Sequence, residues 1–119
     1  MSERCDILVT GTGSLAEAVL FAFSAVDAGH PLHLAIGGRN RTRLDWLSLA
    51  SNGRAVSFAK PNFTTAVELD WTTPETLAVT LGRIKPRVII QTASMQSPWT
   101  LGASNACART LAPGGSALA

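Results

Sequence analysis

The residues that could bind a small anionic ligand fall into two short stretches. Gly11, Gly13 and Ala16 fit G-x-G-x-x-A, the Ala-ending form of the fingerprint that grips a dinucleotide. Each position has a physical task. Gly11 lets the chain turn tightly. Gly13 carries no side chain, so a pyrophosphate can come close to the backbone. Ala16 is small enough for a helix to lie against a strand. Thr12, Ser14 and Leu15 complete the loop and open the helix. Their amides, with the positive end of the helix dipole, suit phosphate oxygens.

The second stretch is Gly38-Arg39-Asn40-Arg41-Thr42-Arg43. Domains that take NAD usually place an acid about twenty residues past the glycines, where it bonds the ribose 2′-hydroxyl. Here Gly38 holds that position, and no acid lies between Asp27 and Asp45. A guanidinium beside empty space welcomes a 2′-phosphate that an acid would repel. Arginines at a helix start also oppose the macrodipole, a conflict that an anionic ligand relieves. The pattern therefore favours NADP over NAD. Gly38, Arg39, Asn40 and Arg43 are the candidate contacts of this stretch. For Arg41 and Arg43 a solvated helix face is an equal alternative.

These motifs work only if a strand precedes each one and a helix follows it. Ile7-Leu8-Val9 reads as a buried strand, and a helix runs from about Ser14 to Ala28, stopped by Gly29. Strand two is Leu32 to Ile36, ending in Gly37-Gly38. Helix two is Arg41 to Ser51, with Asn40 as N-cap and Asn52-Gly53 as its stop. Two extended segments are expected next: a short one over Ala55 to Ala59, then the main third strand over Thr65 to Asp70. Thr73-Pro74-Glu75 starts a helix that runs to about Arg83. Arg87 to Thr92 is a buried strand, and Pro98 to Leu111 a last helix. Ser116 to Ala119 approaches another strand.

The order β-α-β-α-β-α-β-α implies an α/β, Rossmann-type parallel sheet with helices on both faces and right-handed crossovers. Ligands bind outside the carboxyl ends of such strands. Asp70 could there accept a bond from an adenine amino group, or it could simply be an acid approaching a helix. Thr92, Ala93 and Ser94 could let the ribose and nicotinamide pass, with Met95, Gln96 and Trp99 along the same edge. Trp46 and Trp71 read as packing residues, and His30 and His33 as turn and strand-end residues. No pair of titratable side chains has the spacing of an acid–base or nucleophilic site, so no catalytic residue is assigned.

Composition sets the outer bounds. The chain has 119 residues, 46% hydrophobic and 15% charged, which suits one core-rich domain and excludes a disordered segment. A net charge of +2 does not argue for a nucleic-acid surface. Cys5 and Cys107 lack metal-ligand spacing and read as reduced thiols of a cytoplasmic protein. The longest apolar stretch, Leu15 to Ala28, is short and carries Glu17 and Asp27, so no membrane span is expected.

VTGTGSLAEAV, IGGRNRTRLDWL, VELDWTTPETLAVTL and RVIIQTAS together resemble the N-terminal NADP-binding domain of saccharopine dehydrogenase-like oxidoreductases. The resemblance covers nearly the whole chain. It implies hydride transfer between a nicotinamide cofactor and an imine or carbonyl substrate, with catalytic residues in a later domain. It also implies pyrophosphate contacts from Gly11, Gly13, Ser14 and Leu15, a 2′-phosphate contact from Arg39 and an adenine contact from Asp70. The loop Thr92-Ala93-Ser94-Met95-Gln96 departs from that family's Gly-Pro-containing turn. Short-chain dehydrogenases match less well: their T-G-x-x-x-G-x-G spacing is absent, and so is any Tyr. Residues 1–119 are expected to form one incomplete, N-terminal dinucleotide-binding domain that lacks a substrate domain. A non-catalytic nucleotide sensor is the alternative. A methyltransferase using S-adenosylmethionine would want an acid where Gly38 stands. An open sheet edge and uncovered apolar surface predict a homodimer.

Overall fold

The computed structural model describes residues 4–69, 74–92 and 116–118, the last as backbone alone. Five strands, β1 (Ile7–Thr10), β2 (His33–Gly38), β3 (Phe63–Glu68), β4 (Val88–Gln91) and β5 (Ser116–Leu118), alternate with helices α1 (Ser14–Ser24), α2 (Arg41–Ser57) and α3 (Pro74–Ile84). They form one parallel sheet in the order β3-β2-β1-β4-β5. This is the doubly wound order in which the chain reverses direction across the sheet at β1. Asp70, Trp71, Thr73, Ala93, Ser94, Met95, Gln96, Trp99, Cys107 and the expected helix over 98–111 lie outside the described residues.

Helices cover both faces, as the α/β pattern requires. On one face α1 and α2 bury Ala16, Leu20, Leu44 and Leu47 against Val9, Leu34 and Ile36. On the other, Leu77, Leu81 and Ile84 of α3 pack on Leu8, Ala35 and Ile89. Alternate residues of β1 and β2 thus serve opposite cores, and β1 is buried along its whole length. No helix among the described residues is long and apolar enough to cross a membrane.

Two asparagines correct the expected element ends. Helix α1 stops at Ser24, short of Ala28. Buried Asn62 donates from Nδ2 to the carbonyls of Ser24 (3.0 Å) and Val26 (2.7 Å), and its Oδ1 accepts from Leu32 N–H at 3.0 Å. One side chain thereby satisfies orphan carbonyls at the end of α1 and fixes the lead into β2. Gly29, with φ +80°, turns the chain after the helix has already ended. Helix α2 does not stop at Asn52-Gly53. Asn52 accepts from Thr64 N–H (2.8 Å) and donates to Thr64 C=O (3.0 Å), while Ser51 bonds the Thr64 hydroxyl at 2.7 Å. Those contacts hold α2 on β3 through a further turn, so the short strand expected over Ala55 to Ala59 is absent. The helix ends instead in a Schellman arrangement. Lys60 N–H bonds Ala55 C=O (2.8 Å), Ala59 N–H bonds Val56 C=O (3.0 Å), and Ala59 takes φ +55°.

Three strand ends shift for a common reason. The pairing of β2 with β3 runs through Gly38↔Glu68, so β2 extends two residues past Ile36 and β3 lies two residues earlier than Thr65 to Asp70. Strand β4, expected over Arg87 to Thr92, is trimmed to Val88–Gln91.

Asn52 also occupies the outward-facing N–H and C=O of Thr64 on the edge strand β3. A side-chain amide in that position blocks the hydrogen bonds that another strand would use. Asn52→Ala is expected to cost about 1–3 kcal/mol, because it leaves the Thr64 N–H without its acceptor and the Thr64 C=O with the Ser48 hydroxyl alone; urea unfolding measures this directly. Burial and the nearby Asp6 push the Cys5 thiol up to about 12 from its ordinary 9.0. Because its folded value is raised, the neutral thiol contributes its full stability below pH 9 and loses it as pH rises towards 12. A Cys5→Ala variant should show a shallower loss of stability over that window in pH-dependent unfolding.

Candidate functional site

The site is built where β1 and β2 end side by side. Gly11 leaves β1 at φ +106°, a conformation closed to most side-chain-bearing residues, and its N–H bonds Gly37 C=O at 2.8 Å. Thr12 and Gly13 complete the turn. Gly13 is the N-cap of α1 with φ −84° and ψ −171°, and no side chain caps the helix. The first-turn amides of α1 are therefore left for water or a ligand. The second helix start differs: Asn40 Oδ1 accepts from Arg43 N–H at 3.1 Å, the N-cap that its residue type predicts.

An open cleft of about 300 Å³ lies between these ends, lined by Gly11, Thr12, Gly13, Gly38, Arg39, Asn40 and Thr92. The structure thus gathers seven expected contact residues from three separate parts of the chain. Thr92 arrives because its N–H and hydroxyl both bond Thr10 C=O, tying the end of β4 to the end of β1. Below it Thr10 and Gln91, opposite one another in the ladder, form a buried polar pair at 3.3 Å. Ser14 and Leu15 open α1 beside the cleft, and Leu15 is exposed. A second cleft of about 420 Å³ adjoins through Gly38 and Arg39 and adds Glu68, Leu69 and Thr76. The sequence reading missed these last three, since it placed β3 two residues late and set Glu68 in mid-strand.

The three arginines separate into distinct roles. Arg41 pairs with Asp45 at 3.1 Å on the surface. Arg43 donates from Nε to Thr12 C=O (2.9 Å), lies 3.6 Å from Glu17 and stacks over Trp46 at 4.8 Å. It braces the glycine loop from behind and does not line the cleft. Trp46, expected to be a packing residue, is half-exposed and rests against Phe21 and the Arg43 guanidinium. Arg39 lines both clefts, is exposed, and makes no salt bridge with a described residue. His30 and His33 bond local backbone and Thr65, in the turn and strand-end places expected of them. Among the described residues no group of side chains could hold a metal ion.

The glycines distinguish internal from external demands. A Cβ on Gly38 would meet Thr12 Cγ2 at 2.9 Å, closer than packed atoms sit, while Gly38 itself lines both clefts. A Cβ on Gly37 would collide with the Leu69 side chain. Gly13 is different: a Cβ there meets nothing within 4 Å, and its φ is ordinary. Among the described residues nothing requires glycine at this position.

No protein-family profile matches the chain, and no curated protein matches it in sequence. Among solved structures the chain is similar to L-sorbose reductase from Gluconobacter frateurii, complexed with NADPH and L-sorbose, at a TM-score of 0.64 and 18% identity. The match covers 96% of this chain and 49% of the reductase, so the chain spans about half the reductase's length. At that identity the likeness establishes the Rossmann-like fold alone.

Gly38→Ala should cost about 1–3 kcal/mol through overpacking against Thr12, whereas Gly13→Ala should cost less than about 1 kcal/mol. Thermal and urea unfolding of the pair would show the contrast.

Proposed function

We propose that residues 1–119 form the NADP(H)-binding domain of an oxidoreductase, and that its catalytic residues lie outside this chain. The observation that carries this reading is Gly13. It is a glycine with an ordinary φ and no packing reason among the described residues, set at the uncapped start of α1, where a pyrophosphate would come close to its backbone. Arg39 supports the 2′-phosphorylated cofactor: it is the cleft's exposed cation, while Arg41 and Arg43 are engaged elsewhere. That the structurally similar reductase was solved with NADPH supports the same cofactor. The saccharopine dehydrogenase-like sequence resemblance supports hydride transfer to or from an imine or carbonyl substrate. A cytoplasmic location and a homodimer belong to the same proposal. The dimer would draw on the outward side of α2, where Trp46, Leu49 and Val56 stand exposed. The non-catalytic sensor reading rests on one feature, the lack of any acid–base or nucleophile pair recognised in the sequence.

Calorimetric titration with NADPH and NADH tests the proposal. NADPH should bind more tightly. Arg39→Ala should remove about 1.5–3 kcal/mol of NADPH affinity, the scale of a charge-assisted bond, and leave NADH nearly unchanged. Gly13→Ala should abolish binding of both while leaving the fold intact. If the native chain binds neither cofactor, the glycine loop is a structural turn and the proposal fails.

A further inference from the structure

The acid that dinucleotide sites usually carry at the end of β2 is absent, and a Cβ at position 38 would press on the Thr12 methyl at 2.9 Å. The neighbouring strand supplies an acid at the same level. Glu68 is the register partner of Gly38, and Leu69 N–H bonds Gly38 C=O at 2.8 Å, so the two strand ends are fixed side by side. Glu68 has no packing role. It is exposed and belongs to neither core cluster. It lines the second cleft with Arg39, yet the two form no salt bridge. Opposite charges thus border one cleft of about 420 Å³ without neutralising each other, and Arg39 is common to both clefts.

We infer that Glu68 sets how strongly this cleft prefers a 2′-phosphorylated dinucleotide over its unphosphorylated counterpart, by accepting the ribose hydroxyls from β3. The inference rests on the reading of the glycine-loop cleft as a dinucleotide site. A carboxylate accepts hydrogen bonds from a ribose diol, and it repels a phosphate dianion placed next to it. A guanidinium does the reverse, gripping phosphate through two parallel N–H donors. With one of each beside the ribose position, the cleft favours NADPH through Arg39, and Glu68 restrains that preference. NADH then keeps measurable affinity because Glu68 gives its 2′-hydroxyl an acceptor.

Dissociation constants for NADPH and NADH, measured by calorimetry at one ionic strength, test this on the native chain and on Glu68→Gln and Asp70→Asn variants. Glu68→Gln should tighten NADPH and weaken NADH, moving their ratio by roughly tenfold, as expected for removing one charge close to a phosphate. Its unfolding midpoint should not move, since Glu68 is exposed. Asp70→Asn, aimed at the adenine common to both cofactors, should shift both affinities together. A Glu68→Gln ratio within twofold of the native one overturns the inference, as does a ratio that moves only in Asp70→Asn. Both results leave the dinucleotide reading standing. A native chain that binds neither cofactor overturns the reading and the inference together.

Discussion

Strand β1 is buried on both faces and paired on both edges, so its chain has one way out. It must leave at the carboxyl end of the sheet and turn at once into α1, or else expose unpaired backbone in the core. Gly11 makes that exit possible at φ +106°, and its N–H extends the ladder to Gly37. The open start of α1, the approach of Thr12 to Gly38 and the cleft between them all follow from this turn. A residue with a side chain at position 11 would move the loop, the helix start and the cleft together.

The basic run after β2 shows how a cluster of like charges can be partitioned. Three guanidiniums near one helix start oppose the dipole and repel one another. The structure relieves Arg41 with Asp45, and Arg43 with a carbonyl, an acid and an aromatic face. Arg39 stands before the helix and keeps its charge available. The same residues that reduce the repulsion also stiffen the glycine loop, because the carbonyl that Arg43 grips is that of Thr12.

Much of this was legible in the sequence because it depends on single residue types. Gly11, the apolar strands, Asn40 as N-cap and Pro74 at a helix start each have one dominant local reason. The β-α alternation therefore gave the fold class and the end of the sheet at which Gly11, Gly38, Arg39 and Thr92 gather. What stayed hidden depends on tertiary partners. Asn52 looked like a helix stop and instead pairs with the backbone of Thr64. Ala59 ends α2 in the left-handed region without being a glycine. Glu68 was invisible as a cleft residue because strand register, set by β2, decides where β3 ends. An apolar pattern shows which face is buried, but it does not show which polar side chain reaches across to another element's backbone.

The contrast between Gly13 and Gly38 is the more general lesson about the site. Conserving space at Gly38 serves the chain itself, since Thr12 sits where a Cβ would be. A glycine of that kind identifies packing and says nothing of a ligand. Gly13 meets no demand from the described residues, as is true of Gly53 and Gly82 in their helices; what sets it apart is its place at the uncapped start of α1, on the wall of the cleft. The open cleft, the uncapped helix start and the Arg39 guanidinium, which pairs with no described acid, border the same space, and backbone amides beside a cation are the chemistry that suits an anion.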